Sequence, residues 1–270
     1  MRNKIVLCLL CSVFLLMTVC LTAGAETSTY RDMVMETIDR YESTDKLCSG
    51  APQQQVNGAY RLVELFSLIA LRKAETPSQR DIILDILDTF EKNDSTSSGA
   101  PQQLVNGLYR ATELLAIIAT QMDRGGNYSD YIADILKSYE SGNKSAQSAV
   151  QQSTNGLYRC VDLLAVIALE NASTSKQRDV VFSILDDFEK MDGNAQSAVQ
   201  QQVNGAYRMT ELLSVIALEL DMTGSYNSLI NDTLEDYRSL DSRASSALQQ
   251  LVNGLYRSVE LAAITALELE

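Results

Sequence analysis

Gln103, Asn106, Arg110 and Glu113 stand three, four and three residues apart, the spacing that brings side chains onto one face of an α-helix. A row of amide, guanidinium and carboxylate can do two kinds of chemistry. It can hold a hydrogen-bonding ligand, or its members can bond to one another and to nearby backbone. Tyr109 borders the row and adds apolar area beside a hydroxyl. The row recurs as Gln152, Asn155, Arg159 and Asp162 with Tyr158, and as Gln201, Asn204, Arg208 and Glu211 with Tyr207. It also stands near the two ends, as Gln54, Asn57, Arg61 and Glu64 with Tyr60, and as Gln250, Asn253, Arg257 and Glu260 with Tyr256. The row reads as a ladder that sets register between repeats, or as a repeated recognition surface for a protein, peptide or glycan. The two readings are compatible, because a ladder can line a groove and leave donors free.

Other chemistry is scarce. The chain has no histidine, and no serine or cysteine stands in a motif with a recognisable base, so nucleophilic catalysis has no visible machinery. Acid–base catalysis needs two groups in different environments, whereas these acids recur in equivalent settings. Only the third copy departs, with Ser153, Thr154 and Asp162. No catalytic, cofactor or metal site is expected, and the protein is read as not an enzyme. Cys48 and Cys160 sit at unrelated places two repeats apart. Stacked helices lie about 8–10 Å apart and a disulfide needs Cα atoms within about 7 Å, so both read as free thiols. The acids Asp45, Asp94, Asp192 and Asp241, with Asn143 in the third copy, recur in register and read as capping or turn residues rather than a calcium loop.

The elements that must carry the row repeat with a period of 49, counted from Asn57, Asn106, Asn155, Asn204 and Asn253. A fixed period in this range marks a stacked-repeat architecture. Each unit reads as two helices. The first helices span about Thr29–Glu42, Pro77–Glu91, Asn127–Glu140, Lys176–Lys190 and Ser225–Arg238, and Ile82, Ile83, Ile86, Leu87 and Phe90 give the second copy one apolar face. Thr76, Pro77 and Gln79 give it a capped start. The second helices cover 53–71, 102–120, 151–169, 200–218 and 249–267. Pro52 and Pro101 fall in the first turn, and the copies lacking proline are expected to start a turn earlier. Nearly all of this helix outside the polar row is apolar, so it is the inner one, and the row must face a concave surface, an axial cavity or a buried ladder. Gly58, Gly107, Gly156, Gly205 and Gly254 lie in mid-helix, where glycine costs about 1 kcal/mol relative to alanine. A close helix–helix approach explains the cost. An Asn-Gly turn would break the helix instead, but the apolar phase continues through it.

Arg2 and Lys4 precede an apolar run from Ile5 to Leu21, followed by Ala23-Gly24-Ala25. Residues 1–25 therefore read as a cleaved signal peptide, and the product as secreted, periplasmic or displayed at the cell surface. Residues 26–270 then form a single repeat domain of five periods (26–74, 75–123, 124–172, 173–221, 222–270). Losing Arg2 and Lys4 takes the formal charge from −13 to −15, which argues against nucleic acid and anionic membrane as partners. No later segment is apolar enough to span a bilayer. Asn93, Asn127, Asn143, Asn171 and Asn231 begin N-x-Ser/Thr sequences expected in loops or at helix ends.

Five hairpins could close into an α/α ring or stay open. In the last copy, position 66 (held by Phe or Leu elsewhere) becomes Ala262, position 69 becomes Thr265, and the neighbouring variable position is Ser258. A softened outer face is what an open solenoid needs at its end. The expectation is therefore an all-α open solenoid of five tandem 49-residue hairpins, with the closed ring as the alternative. Its expected role is an exported, non-enzymatic scaffold binding through the repeated row. An α/α-ring hydrolase or lyase, or a self-associating envelope component, is the alternative.

Overall fold

The computed structural model describes residues 29–270, and the leader expected at 1–25 lies outside them. The described residues form ten helices: α1 Tyr30–Asp45, α2 Ala51–Lys73, α3 Pro77–Thr96, α4 Ala100–Met122, α5 Ser129–Ser145, α6 Ala149–Asn171, α7 Ser175–Gly193, α8 Ala198–Leu220, α9 Asn227–Arg243 and α10 Ala247–Glu268. Odd-numbered helices are amphipathic and bury one stripe, whereas the even-numbered ones are buried around most of their girth. The even-numbered helices pack on one another in chain order, with each odd-numbered helix laid over them. Among the described residues no helix is long and apolar enough to cross a membrane.

Local chemistry sets the starts. Thr29, Thr76 and Thr174 close capping boxes with Asp32, Gln79 and Gln177. Before α5 and α9 the loop folds back on an acid instead. Asp123 accepts from the Asn127 and Tyr128 amides, and Asp221 from those of Ser225 and Tyr226. Gly126 and Gly224 supply the left-handed residue these loops need, with φ of 66° and 72°. All five inner helices start at the same register, from Ala51 to Ala247. The earlier start expected without proline does not occur, because Ser148, Ser197 and Ser246 cap at the place where the first two copies use glycine before proline.

The outer helices run further than their composition indicates, α3 to Thr96 rather than Glu91. Asp94 explains it: buried in the last turn, it accepts a bond from Gln103 Nε2 at 3.2 Å. That tie outweighs the weak helix propensity of Asn93–Thr96. Asn93 and Asn143 are thereby in last turns, and Asn231 lies inside α9 rather than in a loop.

The expected open end is corrected by the structure, which closes the alternative ring: α10 packs against α2 and α1. A Cβ built on Gly107, Gly156, Gly205 or Gly254 would lie 2.8–3.1 Å from the Cβ of Ala59, Leu108, Leu157 or Ala206 on the preceding inner helix. On Gly58 it would lie 3.0 Å from Leu255 Cβ, so the same joint recurs between the last repeat and the first. Gln202 Nε2 donates to Val150 O, and Gln55 Nε2 likewise donates to Leu248 O. Tyr256 stacks edge-on against Tyr41 at 4.8 Å, as Tyr60 does against Phe90. Arg31 bridges to Glu270 at 3.4 Å.

The misread residues show why. Each inner helix meets its predecessor through the glycine and its successor through the next residue, directions about 100° apart on a helix and near the corner of a pentagon. Positions four and eight after the glycine therefore face the ring axis. One layer is Leu62, Ala111, Cys160, Met209 and Ser258, and the next is Phe66, Leu115, Leu164, Leu213 and Ala262, all at most 1 % exposed. Five bulky residues cannot share one axial layer at core density. Ser258 and Ala262 are small because Met209 and Phe66 are large, and Ser258 Oγ lies 3.2 Å from Thr210 Oγ1 of α8, not at a free end.

Candidate functional site: the outer grooves

With the axis filled, the polar row lies on the outward side of each inner helix, beneath the odd-numbered helices. Gln54, Gln103, Gln201 and Gln250 donate to Asp45, Asp94, Asp192 and Asp241 at 3.1–3.3 Å. The recurring acids are therefore the far ends of clamps within each hairpin. Asn57, Asn106 and Asn204 donate to the carbonyls of Tyr41, Phe90 and Phe188 at 2.9–3.0 Å. Gln and Asn thus serve as an internal register device. In the third repeat Asn143 replaces the acid, and Gln152 and Asn155 are half-buried.

The tyrosines look the other way. Tyr60, Tyr109, Tyr158, Tyr207 and Tyr256 pack on Phe90, Tyr139, Phe188, Tyr237 and Tyr41 of the following outer helix, at 4.8–5.1 Å between ring centres. Tyr158 also donates to Asp192.

Each arginine pairs with the acid three residues on. Arg61–Glu64 is at 2.9 Å and Arg159–Asp162 at 2.7 Å, and Arg110–Glu113, Arg208–Glu211 and Arg257–Glu260 repeat the pair. Arg110 and Arg208 also lie over the rings of Tyr109 and Tyr207, at 4.5 and 4.8 Å from the centroids. Exposure separates the repeats. Arg61 and Glu64 are sealed, with side chains 2 and 5 % exposed, whereas Glu113, Glu211 and Glu260 show 28, 29 and 36 %. Burial lifts the carboxyls of Glu113, Asp162, Glu211 and Glu260 above the ordinary range, against the pull of the paired arginines.

Over α4, Glu113 lies on the floor of a groove that the adjacent outer helices α3 and α5 leave between them. This groove has a cavity volume of about 460 Å³. Ile82 and Ile86 form one wall and Leu136 and Tyr139 the other, while Tyr109 and Glu113 lie on the floor. The polar row led to this floor but not to its apolar walls. One signal could have found them: Ile82, Tyr131, Val180 and Leu229 recur at intervals of 49 and are all exposed.

Cys48 and Cys160 are free thiols. Burial pushes Cys160 up to about 12, which leaves it protonated and unreactive. No group of three or more acid, cysteine or histidine side chains among the described residues could hold a metal ion.

The chain matches no protein-family model, no curated protein and no solved structure.

Proposed function

We propose that the protein is an exported, non-enzymatic scaffold that takes a peptide segment of a partner in its outer grooves, foremost the groove over α4. The observation that carries the reading is that groove itself. Its volume is in the range of ligand sites, its walls are apolar, and a few polar groups on the floor could orient an occupant. The Gln and Asn members of the row bond within the hairpins, so the part of the row offered to a ligand narrows to Tyr109, Arg110 and Glu113 and their repeats. Mostly apolar walls suit a peptide better than a glycan. Every acid of the row is neutralised by its own arginine, an arrangement that favours binding over the hydrolase or lyase alternative.

Peptides selected from a displayed random library test this. Binders should lose affinity about tenfold or more when Ile82→Asp and Leu136→Asp charge the two walls, a cost of about 1.4 kcal/mol. Phe182→Asp, on an exposed face of α7, should leave binding intact. Equal loss in all three variants, or in none, removes the groove as the ligand site.

A further inference from the structure

The five Arg–acid pairs share a frame but not a charge. The first is closed by the chain itself. Arg40 of α1 reaches over the floor and donates to Glu64 Oε2 at 3.3 Å, beside the bond from Arg61. Glu64 there is 4 % exposed, so this carboxylate takes two guanidinium groups, one of them brought in by the flanking helix. The residues equivalent to Arg40 are Thr89, Ser138, Asp187 and Asp236, so no cation comes from that position in the other four repeats.

Over α4 the deficit coincides with the cavity. Thr89 is too short to cross, and Arg110 serves Glu113 alone. Glu140 of α5 adds a further negative charge to the lining. Thr89 from α3, Arg110 and Glu113 from α4 and Glu140 from α5 leave a surplus of one negative charge in an apolar channel. The repulsion from Glu140 adds to burial in holding the Glu113 carboxyl up. The fourth repeat supplies the contrast, since there the positive charge of Arg238 acts on Glu211 against the repulsion from Asp187.

We infer that the groove over α4 recognises an arginine side chain of a partner peptide, flanked by apolar residues, seated as Arg40 is seated in the first groove. This rests on the groove being the ligand site. The guanidinium would pair with Glu113 and Glu140, and the flanking residues would lie against Ile82, Ile86 and Leu136. A planar fork suits two carboxylates better than an ammonium does. A small cation without the apolar flanks would leave the walls uncovered.

The test is a polarisation titration with fluorescein-labelled peptides carrying one arginine among leucines at spacings of three and four. Controls replace the arginine by citrulline, its neutral isostere, or by glutamate. The arginine peptide should bind, with the citrulline form about tenfold weaker or worse and the glutamate form silent. Thr89→Arg copies Arg40 into this groove and should raise the melting temperature while abolishing binding. Glu140→Gln should weaken the arginine peptide several-fold and leave the citrulline form unchanged, which keeps the inference open to refutation if Thr89→Arg misfolds. Should citrulline bind as well as arginine, with both lost in Leu136→Asp, the groove is a ligand site but does not read a cation. Should no peptide bind, or should binding ignore Thr89→Arg and Leu136→Asp alike, both the groove and the arginine are wrong.

Discussion

Chemically identical residues in the five repeats are unequal in energy, because their surroundings differ in water. Arg61 and Glu64 sit under Arg40 and are sealed. Removing Arg61 leaves the buried Glu64 carboxylate with Arg40 alone, at the longer distance of 3.3 Å, and Arg61→Ala should cost about 3 kcal/mol, the low end for breaking a buried pair. Arg159 and Asp162 form the same pair with 25 and 22 % of their side chains open, so water replaces the lost partner and Arg159→Ala should cost about 1 kcal/mol or less. Chemical denaturation of the two variants decides it, and equal losses would contradict the closed first groove. Glu219 makes a pH-dependent case. Both of its carboxylate oxygens are buried without a hydrogen-bond partner among the described residues, and burial lifts its pKa from 4.5 to about 7. Because the folded pKa is the higher one, its contribution to stability is complete below about pH 4.5 and is lost as pH rises through 7. The equivalent residue in the second repeat, Gln121, donates to Ala70 O at 3.1 Å. Glu219→Gln should therefore raise the melting temperature at pH 8 and change little at pH 4. A pH-independent difference would show that titration is not the cause.

At the scale of the element, the inner helices are shaped by sharing one axis. Ala262 faces Phe66 and three leucines in a sealed layer, with 0 % of its own surface exposed. Ala262→Leu should overpack that layer and cost about 1–3 kcal/mol, and Phe66→Ala in the same chain should recover part of it, since the two share a space. At the free end of an open solenoid the same change would be neutral. Thermal unfolding of the single and double variants separates the two architectures. The outer helices answer to different demands. Each is anchored by one buried stripe, and all but α5 also by an acid–glutamine clamp, and the other face is left to water or to a ligand.

For the whole molecule, closure joins residues more than 190 apart in sequence: Arg31 with Glu270, Gln55 with Leu248. A closed ring has no privileged first repeat. A circular permutant with Glu270 linked to Thr29 and new ends in the Arg124–Asn127 loop should therefore fold with an unchanged helical spectrum and nearly the same melting temperature. Deleting residues 222–270 should do far more harm than the loss of one end repeat from a solenoid, because it bares α2 and α8 together. Small-angle scattering gives an independent check, with a radius of gyration of about 18 Å expected for a compact chain of this length. A failed permutant with a tolerated deletion would restore the open form.

Much of this was legible in the residues alone. The period of 49, the two helices per unit and the close approach at each mid-helix glycine follow from local spacing and local sterics, which a repeating sequence states five times over. The Thr76 cap was legible in its own copy. The clamp role of Gln103 and Asn106 was half legible, since a row of amides on one face announces bonding but not its partners. Tertiary structure decided the rest. The small residues Ser258 and Ala262 mean an end cap if they face outward and a shared axis if they face inward, and no spacing within one helix distinguishes those directions. Only the positions of the other four helices do. The groove over α4 was hidden for the same reason: Ile82 and Leu136 belong to different repeats, and they become two walls of one site only when the ring angle sets α3 and α5 apart above α4.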